Sequence, residues 1–103
     1  MNIKKYSISD LVKISHSIAK EKGWWDRERN DAELIALMHS ELSEALQALR
    51  NNEPLEKVAE ELADCIIRIF DYCGFKNIDL EKAILEKIEK NKKRPYRHGN
   101  KKF

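Results

Sequence analysis

The sequence predicts an all-α fold: an antiparallel bundle of about four helices. Three observations predict it. Charged residues make up 37% of the 103 positions while only 3 Gly and 2 Pro interrupt them, a composition suited to long solvent-exposed helices. Apolar residues recur at three- and four-residue spacing, and no stretch alternates as a strand would. The breaks between periodic stretches are short, so consecutive helices must lie antiparallel.

The first helix starts at Ser7 or Ser9. Ser7 and Asp10 have the spacing of a reciprocal capping box, and Gly23 stands where a helix hands over to a left-handed residue. Leu11, Ile14 and Ile18 form its apolar stripe. GWWDRERND follows as a loop, and Asn30 or Asp31 caps a second helix running to about Asn51 with Leu34, Leu37, Met38, Ala45 and Leu49 on one face. Pro54 suits the first position of a third helix, and Gly74 is expected to stop it just after Cys73. Asp79 caps a fourth, carrying Leu80, Ala83, Ile84 and Ile88, that frays near Pro95. No repeat of solenoid length is present.

A chain of 103 residues is expected to form a single domain, 1–103, with a basic tail from about 92, since a second core would have too little interior. Residues 87–103 hold eight Lys or Arg and one acid, for +7; the first 86 hold 12 basic and 17 acidic groups, for −5, which together give the net +2. No apolar run approaches the ~18 residues of a membrane span. The N-terminal MNIKKYSISD has no apolar secretory segment. Cys65 and Cys73, on one helix, would sit roughly 12 Å apart along it, too far to bridge. A cytoplasmic location is the expectation. Phe70 and Ile67 point to different sides of the third helix, about 60° apart on a helical wheel, so a homodimer or homotetramer formed through helix faces is expected as well.

Carboxylate spacing alone decides little. With 18 acids in 103 positions, roughly three pairs three residues apart are expected by chance on freely charged helix surfaces. Five occur: Glu28/Asp31, Glu41/Glu44, Glu53/Glu56, Glu61/Asp64 and Glu86/Glu89. Position on the helix decides more. At about 100° per residue from Leu34, Glu41 falls at about 340°, inside the apolar stripe, and Glu44 at about 280°, on its edge. Measured from Val58, Glu61 lies at about 300° and Asp64 at about 240°, flanking the third helix's stripe. The short NNEP connection lets the two pairs face each other. Carboxylates converging there repel unless cations intervene, and hard oxygen donors suit magnesium, or manganese, rather than zinc. Two plainer readings stay open. Glu41 pairs with Arg68 or a Lys as a salt bridge, or the apolar arc is wider and Glu41 only borders it.

The two pairs in order, Glu41-Leu42-Ser43-Glu44 and Glu61-Leu62-Ala63-Asp64, with the stretch from Ala45 to Glu60 between them, resemble the motif of the MazG-like all-α nucleoside triphosphate pyrophosphohydrolase superfamily. The tail EKNKKRPYRHG is similar to the Asn- and Arg-bearing segment after that family's last core helix. The resemblance covers about residues 24–99. It implies magnesium-dependent hydrolysis of a (d)NTP between its α- and β-phosphates, giving a monophosphate and pyrophosphate. Glu41, Glu44, Glu61 and Asp64 would hold the metal, with Glu41 or Glu44 accepting the proton of the attacking water. Asn91, Lys92 and Arg94 would neutralise phosphate charge, and Trp25 (or Trp24) would stack on the base. Against the ligand role of Asn91 stands a helix-capping one, and against base stacking stands packing of both Trp over the bundle end. Relatives acting on phosphoribosyl-ATP share the scaffold; the GWWD loop and the tail look more like the members acting on the nucleotide pool. His16, His39 and His98 have no ligand spacing. Two other classes compete: a nucleic-acid module using the +7 tail, disfavoured because only Tyr96 and Phe103 interleave its charges, and a non-catalytic structural oligomer.

Overall fold

A computed structural model describes residues 5–103; the first four residues of the N-terminal segment read for a secretory leader lie outside the described residues. The elements are α1 (Ile8–Glu21), α2 (Asp31–Arg50), α3 (Leu55–Lys76), α4 (Leu80–Lys92) and a single turn, α5 (Arg97–Asn100). No strand occurs among the described residues, and no helix is long and apolar enough to cross a membrane.

The helix starts follow their caps. Ser7 Oγ accepts from Asp10 N–H and Asp10 Oδ2 accepts from Ser7 N–H, both at 3.0 Å, so two otherwise unpaired donors are satisfied reciprocally. Asn30 caps α2 by accepting from Glu33 N–H at 2.8 Å, and Asp79 caps α4 through Lys82 N–H at 3.1 Å.

One device ends the three long helices. A residue enters the left-handed region, and the next N–H bonds back to a carbonyl five residues earlier. Gly23 (φ 89°) does this before Trp24, whose N–H reaches Ala19 O at 3.0 Å; Asn52 (φ 55°) does it before Glu53, and Asn77 (φ 56°) before Ile78. Gly74 is therefore not the stop of α3, which runs on to Lys76. Asn tolerates the left-handed conformation, so Asn77 serves in its place. Gly74 answers a packing demand: a Cβ there would lie 2.6 Å from His16 Cβ, so only a bare backbone lets α1 approach.

The α2–α3 hairpin is the largest contact, α1 packs across α3, and α4 touches α1. The core is thin. Val12, Phe70 and Cys73 are buried together, covered by Ile8, Leu11, Ile69 and Leu80; Leu34, Ala45, Ala48, Val58 and Cys65 line the hairpin. Both cysteines are free and buried. The expected bundle of four is thus three packed helices plus an attached one. α4 buries no residue and is held at its start by Leu80 and by Ser9 N–H donating to Glu81 Oε1 at 3.2 Å.

Candidate metal centre and cleft

Antiparallel pairing of α2 and α3 brings Glu41, Glu61 and Asp64 together, with one carboxylate oxygen of each within 4.8 Å of the others. Two of the three charges have partners. Arg68 Nε donates to Glu41 Oε1 at 2.8 Å, and Lys57 Nζ meets Glu61 Oε1 at 3.1 Å. Both carboxylates are largely sheltered, at 16% and 13% side-chain exposure. The salt-bridge and metal readings of Glu41 are thus compatible: one oxygen takes the guanidinium while the carboxylate still belongs to the acidic group. Among the described residues Asp64 has no ion pair or hydrogen bond. Desolvation, then the charges of Glu41, Glu61 and Glu60, raise its pKa above the ordinary Asp value of 3.8 against the opposing pull of Arg68. Three hard oxygen donors, one of them uncompensated, fit a divalent cation of the magnesium or manganese type.

Glu44 stands apart. It is exposed, lies outside that group, and bonds to nothing among the described residues. One helical turn beyond Glu41, it is aimed about 60° further from the α3 contact.

Beside the acids lies a cleft of about 360 Å³ walled by Glu41, Asp64, Arg68 and Asp71 on one side and by Ile18, Lys22 and Trp24 on the other. Its volume falls in the range of small-molecule sites. Lys22 is exposed and unpaired among the described residues, so the cleft has free cationic charge opposite its carboxylates. Ile67, on the far side of α3 from α2, lines the cleft rather than a core.

The two tryptophans have different places. Trp25 is packed: its ring stacks on Phe75 with centroids 4.2 Å apart, and its Nε1–H donates to Asp71 Oδ1 at 2.9 Å. Asp71 Oδ1 also bonds His16 Nδ1 at 2.8 Å. Arg29 lies over the Trp25 ring, donates to Trp24 O at 3.4 Å and pairs with Glu33 at 3.2 Å. This bracing leaves Trp24, exposed, on the cleft wall.

Asn91, Lys92 and Arg94 are exposed near the end of α4, and none lines the cleft. Lys92 pairs with Glu89 at 2.9 Å, and Arg94 Nη1 lies 3.1 Å from His98 Nδ1. Within one chain α4 is held at its N-terminal end, against α1 and through Leu80 against Phe70 and Cys73 of α3, and its C-terminal end, where these three sit, lines no part of the acidic cleft. Lys22 and the His16–Asp71–Trp25 chain of bonds were hidden from the sequence, since each depends on where α1 crosses α3. The one usable signal was Gly74, a glycine inside an apolar helix, which marks close approach of another backbone.

Set against known proteins, the chain matches the family model of the MazG nucleotide pyrophosphohydrolase domain over residues 29–98. Neither a curated protein nor a solved structure matches it.

Proposed function

Because the chain belongs to the MazG nucleotide pyrophosphohydrolase family, we propose that it cuts a nucleoside triphosphate between the α- and β-phosphates in the cleft beside Glu41, Glu61 and Asp64, releasing a monophosphate and pyrophosphate. The observation that carries this reading is Asp64: a carboxylate without a cation of its own, within 4.8 Å of two others and at the mouth of a nucleotide-sized cleft. Such crowding favours a bound divalent ion.

Glu41, Glu61 and Asp64 would hold the ion, a hard divalent cation such as magnesium or manganese. When bound, it supplies Lewis-acid stabilisation of phosphate charge and makes water a better nucleophile. Glu41 or Glu44 takes the proton of the attacking water: Glu41 lines the cleft with one oxygen engaged by Arg68, and Glu44, one turn along α2, has neither oxygen engaged among the described residues. Lys22, and Arg68 on its free side, face the non-bridging oxygens and the departing pyrophosphate. This assigns to the cleft the charge neutralisation expected of Asn91, Lys92 and Arg94. Trp24 offers its ring to the base, while Trp25, Asp71 and His16 hold the loop that presents it.

Incubating the protein with magnesium and a panel of ribo- and deoxynucleoside triphosphates tests the reading. Monophosphate plus pyrophosphate, lost when the metal is chelated, is the expected result. Diphosphate plus orthophosphate would place the cut at the wrong bond, and absence of turnover with every nucleotide would overturn the assignment.

Trp24→Ala is expected to raise KM about 10-fold with kcat little changed, since base–aromatic stacking contributes roughly 1–3 kcal/mol. Trp25→Ala should instead lower the melting temperature, because that ring is packed against Phe75 and bonded to Asp71. Steady-state kinetics and calorimetry on the two variants separate the roles.

A further inference from the structure

Asp71 gives the cleft a carboxylate that stands outside the acidic group and is only half used by the bundle. On α3 it follows Asp64 by seven residues, which is about two helical turns, ~10 Å along the axis and only about 20° round it. Both side chains therefore stand in one row on the same cleft wall, with the metal group at one end and Asp71 at the other. The far end is also where Trp24 belongs, because Asp71 Oδ1 accepts from Nε1–H of the neighbouring Trp25 at 2.9 Å. With the phosphates at the acids, a nucleoside laid along the row brings its base beside Asp71.

The two oxygens of Asp71 have unlike surroundings. Oδ1 takes the Trp25 bond and, at 2.8 Å, that of His16 Nδ1. A carboxylate oxygen offers two lone-pair sites and a carboxylate donates nothing, so His16 is the donor and Oδ1 is fully engaged. Oδ2 bonds to nothing among the described residues. No buried side-chain nitrogen or oxygen lacks a partner among those residues, so Oδ2 reaches open space although the side chain as a whole is only 15% exposed. The open space that Asp71 borders is the cleft. Two bonds to one oxygen thus hold the group still and leave the other for whatever the cleft contains.

Building on the hydrolysis reading of the same cleft, we propose that Asp71 selects the base by accepting a hydrogen bond from an exocyclic amino group through Oδ2. The substrates are then amino-bearing nucleotides, such as those of cytosine and adenine, in preference to their oxo counterparts of uracil and hypoxanthine. A sheltered group that only accepts favours a donor and repels a carbonyl oxygen, and hydrogen bonds to an ionised acceptor are the stronger kind. The oxo bases do carry a ring N–H. In uracil it is flanked by two carbonyl oxygens and in hypoxanthine by one, so approaching it brings an acceptor against Oδ2.

Turnover of paired triphosphates with magnesium tests this: dCTP against dUTP, and ATP against ITP. The amino member of each hydrolysed pair is expected to have a ~10–100-fold higher kcat/KM. Equal turnover within any hydrolysed pair, or preference for the oxo member, would overturn the proposal and leave the hydrolysis reading standing. So would discrimination of ribose from deoxyribose with none between bases, which would give Oδ2 to a sugar hydroxyl. Turnover of no nucleotide would overturn hydrolysis, and calorimetric binding of CMP and UMP would then decide. Tighter binding of CMP supports the role of Asp71; equal binding, or none, overturns it.

Asp71→Asn makes the test sharper. The indole Nε1–H of Trp25 can only donate, so the amide oxygen must keep the place of Oδ1 and the amide N–H groups turn to the cleft. The ranking is therefore expected to reverse towards dUTP and ITP, with the melting temperature close to that of the wild type because both anchoring bonds survive. A merely structural Asp71 would lower turnover of all four nucleotides alike. A folded variant that keeps the wild-type ranking overturns the proposal; should it fail to fold, the wild-type ranking within the pairs decides.

Discussion

Asp64→Asn is expected to lower kcat/KM for nucleotide hydrolysis by ~10³-fold or more while making the metal-free protein more stable, not less. The two effects have one cause. Asp64 is the member of the carboxylate group with no cation of its own, and its charge is disfavoured by desolvation and by Glu41, Glu61 and Glu60. A carboxyl whose pKa is raised by folding contributes stability that is present below its unfolded value and lost as pH rises through the raised one. At neutral pH the metal-free protein therefore carries an unfavourable charge, and the neutral amide removes it. Asp64 is exposed, so solvent screens much of the repulsion; a gain of about 2–4 °C in melting temperature is the scale to expect. Magnesium should raise the wild-type melting temperature and leave the variant's nearly unmoved. Scanning calorimetry with and without the metal reads both. A variant less stable than wild type without metal would mean that Asp64 has a structural role instead.

Glu44→Gln separates ligand from base. Glu44 lies outside the carboxylate group, so the variant should keep its metal-induced stabilisation and, where Glu44 is the base, lose ~10²-fold or more in kcat, the contribution of a positioned base; unchanged kcat would leave that role to Glu41. Loss of metal binding in step with activity would return Glu44 to the ligand set that the family motif implies.

Much of this was legible beforehand, and the boundary is physical. The all-α fold, the caps at Ser7, Asn30 and Asp79, and the meeting of Glu41 with Glu61 and Asp64 follow from local rules: side-chain period, capping chemistry and a hairpin turn too short for anything but an antiparallel return. Helical wheels fix directions to a fraction of a turn. That is enough to place Glu41 inward but not to say whether Glu44, about 60° further round, still reaches. Where a contact joins elements distant in sequence, the local rules fall silent. Trp24 and Trp25 are adjacent and chemically identical; Phe75 and Asp71, far along the chain on α3, decide which is packed and which lines the cleft. The position of α4 escapes the sequence for a similar reason. An apolar stripe at Leu80, Ala83, Ile84 and Ile88 says that a helix wants cover, not which surface supplies it.

Gly74→Ala should act through the same long-range geometry and with the largest effect on stability. At an exposed mid-helix site this change favours the helix by about 1 kcal/mol. Here the new methyl would fall 2.6 Å from His16 Cβ and 3.0 Å from His16 Cγ. His16 Cβ is fixed to the α1 backbone and cannot swing aside, so the strain must move one helix against the other. Overpacking of that kind costs typically about 1–3 kcal/mol, which outweighs the propensity gain in the upper part of that range and corresponds to a fall of up to ~10 °C in melting temperature for a domain this small. The displacement also pulls His16 from Asp71, and Asp71 from Trp25, so the loop carrying Trp24 loses its anchor. KM should therefore rise along with the loss of stability, although Gly74 touches neither nucleotide nor metal. His16→Ala in the same chain removes the Cγ contact and the bond to Asp71 but keeps the Cβ clash. The double variant should thus remain unstable, whereas His16→Gly would relieve the clash and leave room for the added methyl. Rescue of the melting temperature by His16→Gly and not by His16→Ala would locate the strain at the α1–α3 crossing; equal behaviour of the two would place it elsewhere.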